Sequence, residues 1–191
     1  MFLCTDLILI FLDIDWKPFK MYCLIEEIEN YLFYLTKNIG LHISLHPQIP
    51  EDIIMTSSLR RYNMHRNSYC IQLKNRANVQ KTCIECQKKV FEQCEYGSFS
   101  GTCHAGVFEY VYPIKTSQKL IGFISVSGYQ SDLREDKLYL LSTTHNLSLE
   151  YLNEIYQTLD ETAPSKDFID TLISPLQRML ELAYEKKISK D

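Results

Sequence analysis

Glycine and proline are scarce in this chain, six of each in 191 residues. That is too few for a linker-rich, low-complexity or collagen-like organisation. A strong charge of one sign is missing too: 20 Lys and Arg against 24 Asp and Glu leave a net charge of −4, which offers no basic face to nucleic acid phosphates. The one basic cluster, SLRRYNMHR with Arg60, Arg61 and Arg66, reads as a solvated loop. No apolar run reaches the roughly 20 residues of a membrane span. The opening MFLCTDLILIFLDIDW is apolar for about a dozen positions, is interrupted or flanked by Asp6, Asp13 and Asp15, and has no basic residue ahead of it, unlike a signal peptide. A cytoplasmic protein away from membranes is therefore expected, with its thiols reduced. The chain also contains no Gly-rich phosphate loop, no H-E-x-x-H and no G-x-S-x-G, so no enzymatic activity is expected.

Seven cysteines and 13 tyrosines stand out among what is present, and 46% of residues are hydrophobic, enough for a proper core at this length. The spacing predicts an amphipathic helix over Tyr22 to Asn38, with Ile25, Ile28, Leu32, Leu35 and Ile39 in phase and Gly40 ending it. LHISLHP alternates Leu41, Ile43 and Leu45 with His42, Ser44 and His46, which predicts a half-buried strand stopped by Pro47. Two helices are predicted over Ser68 to Tyr96, broken near Asn75 to Asn78. Strands are predicted over Ser100 to Ile114 and Leu120 to Tyr129, joined as an antiparallel hairpin. Leu133 to Lys190 reads as helical and split at Pro164, with one stripe from Leu138 to Leu159 and another from Phe168 to Ala183. Pro175 should kink the second or mark its first turn. The fold class expected is α+β: a small antiparallel sheet covered by helices, plus a C-terminal helical extension. The chain divides into three parts, an apolar segment over 1–20, a domain over 21–132 and the extension over 133–191.

The cysteines admit two readings. Cys83 and Cys86 form one C-x2-C, and with Cys70 and Cys103 they could assemble a zinc or iron–sulfur site, although structural zinc usually pairs two such half-sites. Alternatively, Val79, Cys83, Cys86, Val90 and Cys94 recur along one helical face, where cysteine acts as a small buried hydrophobe and no cofactor is needed. Cys103 and His104, as strand neighbours, point to opposite faces and cannot pair as nucleophile and base.

Strand alternation puts Glu109 among small apolar neighbours, where it either meets a cation or ligand or escapes to solvent from an edge strand. Ser125 and Ser127 lie in line on one face of the partner strand and suit a polar-lined pocket or simply the solvent side of the sheet; Tyr110 and Tyr112 would add aromatic lining. Gly106, Gly122 and Gly128 mark bulges or close backbone approach.

N-x-Y-C at Asn67 to Cys70, Cys83, C-H-x-G at Cys103 to Gly106, Pro113-Ile114 and the Gly128 to Gln130 element recur in order over about Leu41 to Tyr129. This arrangement resembles the PocR sensory domain, a PAS-like ligand-binding fold. The resemblance implies a sensor of small organic molecules such as short diols. It also implies an output module, often an AraC-type DNA-binding domain or a histidine kinase, which would begin where the chain ends in LELAYEKKISKD. By position it makes Cys70, Cys83, Cys103 and His104 the pocket or metal candidates. The short, proline-rich segment after the first strand departs from the family's early hairpin. The helical extension would carry the signal, as a homodimer contact whose packing changes on binding.

Overall fold

Apolar residues at helical spacing make Trp16–Lys37 a continuous helix, α1, whose Ile28, Leu32 and Leu35 are fully buried. The computed structural model describes residues 16–49, 53–117 and 119–188; the apolar opening over 1–15 lies outside them. After Gly40, which takes a left-handed turn, comes β1 (His42–Pro47). Next are a short helix α2 (Ile53–Thr56) and a 3-10 turn (Ser58–Tyr62), where the family resemblance implies an early hairpin. The basic cluster is not merely a loop: Leu59 and Tyr62 are buried while Arg61 pairs outward with Glu29.

Helices α3 (Ser68–Lys74) and α4 (Ala77–Cys94) break where the sequence indicates. Asn67 caps α3, its side chain accepting from the Cys70 N–H at 2.8 Å. The sheet is completed by β2 (Phe99–Thr102), β3 (Phe108–Lys115) and β4 (Leu120–Tyr129), all antiparallel in the order β1-β4-β3-β2. The fold is α+β as expected, with seven α-helices among the described residues. The single strand expected over Ser100 to Ile114 is instead two strands, reversed by a turn in which Cys103 N–H donates to Val107 O at 2.9 Å. Gly106, at φ +80°, makes that reversal possible without strain. The extra strand places β3 inside the sheet, so Glu109 is not an edge residue.

Each sheet face has its own cover. Ile43, Leu45, Tyr110, Tyr112, Ile114, Ile124 and Val126 share one core with α1 and the last helix, α7 (Lys166–Ile188). On α7 the buried row is Ile169, Ile173, Leu176, Leu180 and Ala183, while Phe168, expected in the stripe, is exposed. Burying each of these large aliphatics stabilises the fold by about 1.5–3 kcal/mol relative to exposure. Pro175 neither ends α7 nor marks its first turn; it lies on the exposed side, where the carbonyl it leaves without a donor can reach water.

The stripe from Leu138 to Leu159 is two helices, α5 (Arg134–His145) and α6 (Leu149–Tyr156). Asn146 in the left-handed conformation closes the first and Ser148 caps the second. They pack Leu138, Leu141, Leu152, Ile155 and Tyr156 onto Tyr69 and Leu73 of α3. No helix is long and apolar enough to cross a membrane among the described residues.

Candidate ligand-binding site

The other sheet face, whose serine row suits either a polar-lined pocket or solvent by sequence, is roofed by α3 and α4. Ser44 and His46 of β1 and Ser125 and Ser127 of β4 are all buried. Register aligns them: Ser44 opposes Ser125, His46 opposes Phe123, and Val111 of β3 opposes Ser125. Gly122 is needed here, because a Cβ at that position would lie 2.8 Å from the backbone oxygen of His46.

Between this face and the roof lies a cavity of about 50 Å³. Its walls include Cys70, Leu73 and Lys74 from α3, Cys83, Cys86, Gln87 and Val90 from α4, and Cys103, His104 and Ala105 from the β2–β3 turn. His46, His65, Glu109 and Phe123 complete them. Six of the residues singled out from sequence, Cys70, Cys83, Cys86, Cys103, His104 and Glu109, are thus brought together. The α4 stripe faces inward as its periodicity indicates. Cys103 and His104 do not point to opposite faces: they sit in a turn rather than a strand, and both reach the cavity. A wider groove of about 390 Å³, lined by Lys89, Gln93, Gly101 and Lys137, shares Cys86, Val90, Cys103, His104 and Glu109 with it and leads in from the surface.

Most of the polar groups are arranged in pairs. Ser125 donates to Glu109 Oε2 at 2.6 Å. Burial nevertheless raises the Glu109 carboxyl above its usual range, with the serine bond and Lys74 opposing in part. His46 contacts Ser44 Oγ through Nε2 at 2.9 Å and Gln87 Nε2 through Nδ1 at 3.1 Å. A neutral ring meets both, donating to the serine and accepting from the amide, and burial holds its pKa well down. His65 is lowered to about 3, chiefly by burial. Its Nδ1 is 4.0 Å from Cys70 Sγ, while its Nε2 has no protein partner and lies 4.0 Å from Glu109 Oε2. One hydroxyl placed to the side of the line joining those two atoms would be within hydrogen-bonding reach of both. Cys83 Sγ is 3.1 Å from His104 Nε2, with the thiol raised and the imidazole lowered to about 4, each mainly by desolvation.

Other candidates fall elsewhere. Tyr110 and Tyr112 are on the opposite face: their hydroxyls donate to Pro164 O at 2.8 Å and to Asp170 Oδ1 at 2.6 Å, beside α7. They do not line the cavity, because alternation along β3 separates them from Glu109. Ser125 acts one layer back, by holding Glu109, and Ser127 Oγ is buried without a partner. Although Cys70, Cys83, Cys86 and Cys103 all line the cavity, no group of three or more Cys, His, Asp or Glu stands close enough to hold a metal ion among the described residues.

Sequence reasoning missed His46, His65, Lys74 and Gln87. The His42, Ser44, His46 row was its available signal for a buried polar face. It also missed Tyr69 and Tyr156, which pin the β2–β3 turn: Tyr69 donates to Ala105 O at 2.8 Å and Tyr156 to Gly106 O at 2.7 Å. The motif residues therefore interlock, with Asn67 capping α3, Tyr69 holding the turn, and Cys70 and Cys103 meeting at the cavity. Comparison adds no relative to this assignment: no family model, no curated protein and no solved structure matches the chain.

Proposed function

We propose that this chain is a small-molecule sensory domain of the kind the PocR resemblance implies. It binds a small, uncharged organic metabolite such as a short diol, acts in the cytosol, and catalyses no turnover. One observation carries the reading: a polar sheet face turned inward onto a cavity, with the Glu109 carboxyl, raised by burial, and the partnerless His65 Nε2 standing 4.0 Å apart. A buried polar nitrogen without a partner is costly, and a ligand hydroxyl would satisfy it while also reaching Glu109. Thiols and imidazoles make up most of the polar wall, with Lys74 as its cationic member, a lining that suits a small hydroxylated ligand.

The same strand offers a route for the signal. β3 presents Glu109 to the cavity and, one residue on, Tyr110 and then Tyr112 to α7. Gln177 of α7 also donates to Pro113 O at 2.7 Å. Occupancy that shifts β3 would alter these contacts and bias α7, the helix that leads toward an output module such as an AraC-type DNA-binding domain. Homodimerisation through the C-terminal helices would use what they leave exposed, Tyr139, Leu140 and Phe168.

A thermal-shift screen of short diols, alcohols, aldehydes and sugars tests the proposal. A ligand at a hundredfold its Kd stabilises by about 2.7 kcal/mol, which raises Tm by roughly 5–10 °C for a chain this long. The shift should be lost when Glu109 is replaced by Ala. No shift from any of these classes would overturn the reading.

A further inference from the structure

Cys83 and His104 come from different elements, α4 and the β2–β3 turn, yet Sγ and Nε2 lie 3.1 Å apart on the wall of the cavity that also holds the Glu109 carboxyl. Thiol, base and acid around one small apolar space are the parts needed for addition to a carbonyl. We infer that the site takes short-chain aldehydes, captured reversibly as a hemithioacetal on Cys83 with His104 as the base. The inference rests on the sensory reading above and names the ligand class of that same site.

The step balances without a co-reactant. His104, with its own proton on Nδ1, accepts the thiol proton at Nε2 as Sγ bonds to the carbonyl carbon. The carbonyl π pair moves onto oxygen, and the proton passes from His104 to that oxygen. One S–H and one C=O π bond are exchanged for one S–C and one O–H bond, with no leaving group and no change of electron count. Burial raises the Glu109 carboxyl, and when it carries its proton it is a hydrogen-bond donor for the developing oxygen charge.

Three features favour this chemistry over the alternatives a cysteine-lined site suggests. Both members of the pair are neutral, since burial raises the thiol and lowers the imidazole. Little standing thiolate is then present, so Cys83 depends on the adjacent imidazole for its reactivity and reacts slowly with iodoacetamide. The cavity of about 50 Å³ admits a ligand of about two to four heavy atoms. Cys70, the other thiol beside an imidazole, is 4.0 Å from its His65 rather than 3.1 Å.

The test uses the whole chain with [1-13C]propionaldehyde, and with 1-propanol as an unreactive molecule of equal size. Carbon NMR should show a protein-bound sp3 carbon in place of the aldehyde signal. Propionaldehyde should bind at least about tenfold more tightly than 1-propanol and shield Cys83 from iodoacetamide in peptide mapping. In Cys83→Ser the sp3 signal should vanish and the two affinities should become equal, and His104→Gln should slow formation of the adduct. The wild-type spectrum and mapping stand by themselves if the serine variant fails to fold. Equal binding of both molecules with no sp3 signal, or an adduct on Cys70, Cys86 or Cys103 instead, would overturn the aldehyde assignment and leave the sensory reading intact. If neither molecule nor any short diol binds, both readings fall.

Discussion

Replacing Tyr156 by Phe removes one oxygen atom and should loosen the candidate site from a distance. That hydroxyl is fully buried, donates to Gly106 O at 2.7 Å and accepts from the Ser131 N–H at 2.9 Å. Phe keeps the edge-on contact with Tyr69, whose ring centroid is 5.3 Å away, so the loss is confined to polar partners. Gly106 is buried, and its carbonyl would have no replacement donor, at a cost of about 1–3 kcal/mol. The Ser131 amide is half-buried and can find water, adding about 1 kcal/mol or less. Together these give about 1–4 kcal/mol, or a fall of about 0.5–2 M in the urea midpoint at a slope of about 2 kcal/mol per M. The turn freed is the one that carries Cys103 and His104 into the cavity, so iodoacetamide should alkylate Cys103 faster in the variant. Tyr69→Phe, which frees Ala105 O from the same turn, should be less than additive with Tyr156→Phe, by about 0.5 kcal/mol or more. A midpoint shift below about 0.3 M, with Cys103 labelling unchanged, would refute the view that Tyr156 holds the turn.

Glu109→Gln should flatten one limb of the stability–pH profile. The native carboxyl is raised, so the folded state keeps a proton the unfolded chain gives up in the ordinary carboxyl range, and stability falls as pH rises from there. Urea midpoints from pH 4 to 7 should lose that fall in the variant, and an unchanged slope would count against a buried, protonated Glu109. The buried histidines act in the opposite sense: with His65 near 3 and His104 near 4, the unfolded chain binds protons first below its value of about 6.5. Stability contributed by these rings is therefore present above about pH 6.5 and lost as pH falls toward 4. Their ring C2 proton shifts should stay flat from pH 7.5 to 5.5, and a midpoint inside that range would contradict the burial argument. Gly122→Ala should cost about 1–3 kcal/mol by overpacking, because the new methyl meets the His46 carbonyl at 2.8 Å; thermal unfolding with no loss of Tm would be inconsistent with that contact.

Much of the local structure was legible in the sequence for simple reasons. Residues at helical spacing bury one side of α1, and Gly40 and the Asn75 break punctuate the chain where backbone chemistry favours it. The inward stripe of α4, Val79 to Cys94, comes from periodicity alone. The β2–β3 reversal was not legible, because its turn, Cys103 to Gly106, contains no strong turn dipeptide. Its turn is stabilised by Tyr69 and Tyr156, which lie 36 and 50 residues from the carbonyls they bind. That one reversal moves β3 to the interior of the sheet, and with it Glu109 becomes a buried group instead of an exposed one.

The sequence by itself determined the α+β class, the helix that carries the thiols, and which residues share a face of each strand, since these depend on spacing along the chain. Only the tertiary structure decided that the polar face of the sheet points inward, that Tyr110 and Tyr112 serve α7 and not the cavity, and that Cys83 meets His104. Alternation tells which side chains lie together on a face but not what covers that face. Here the cover is α3 and α4, and it makes a row of serines and histidines part of a buried wall around a cavity.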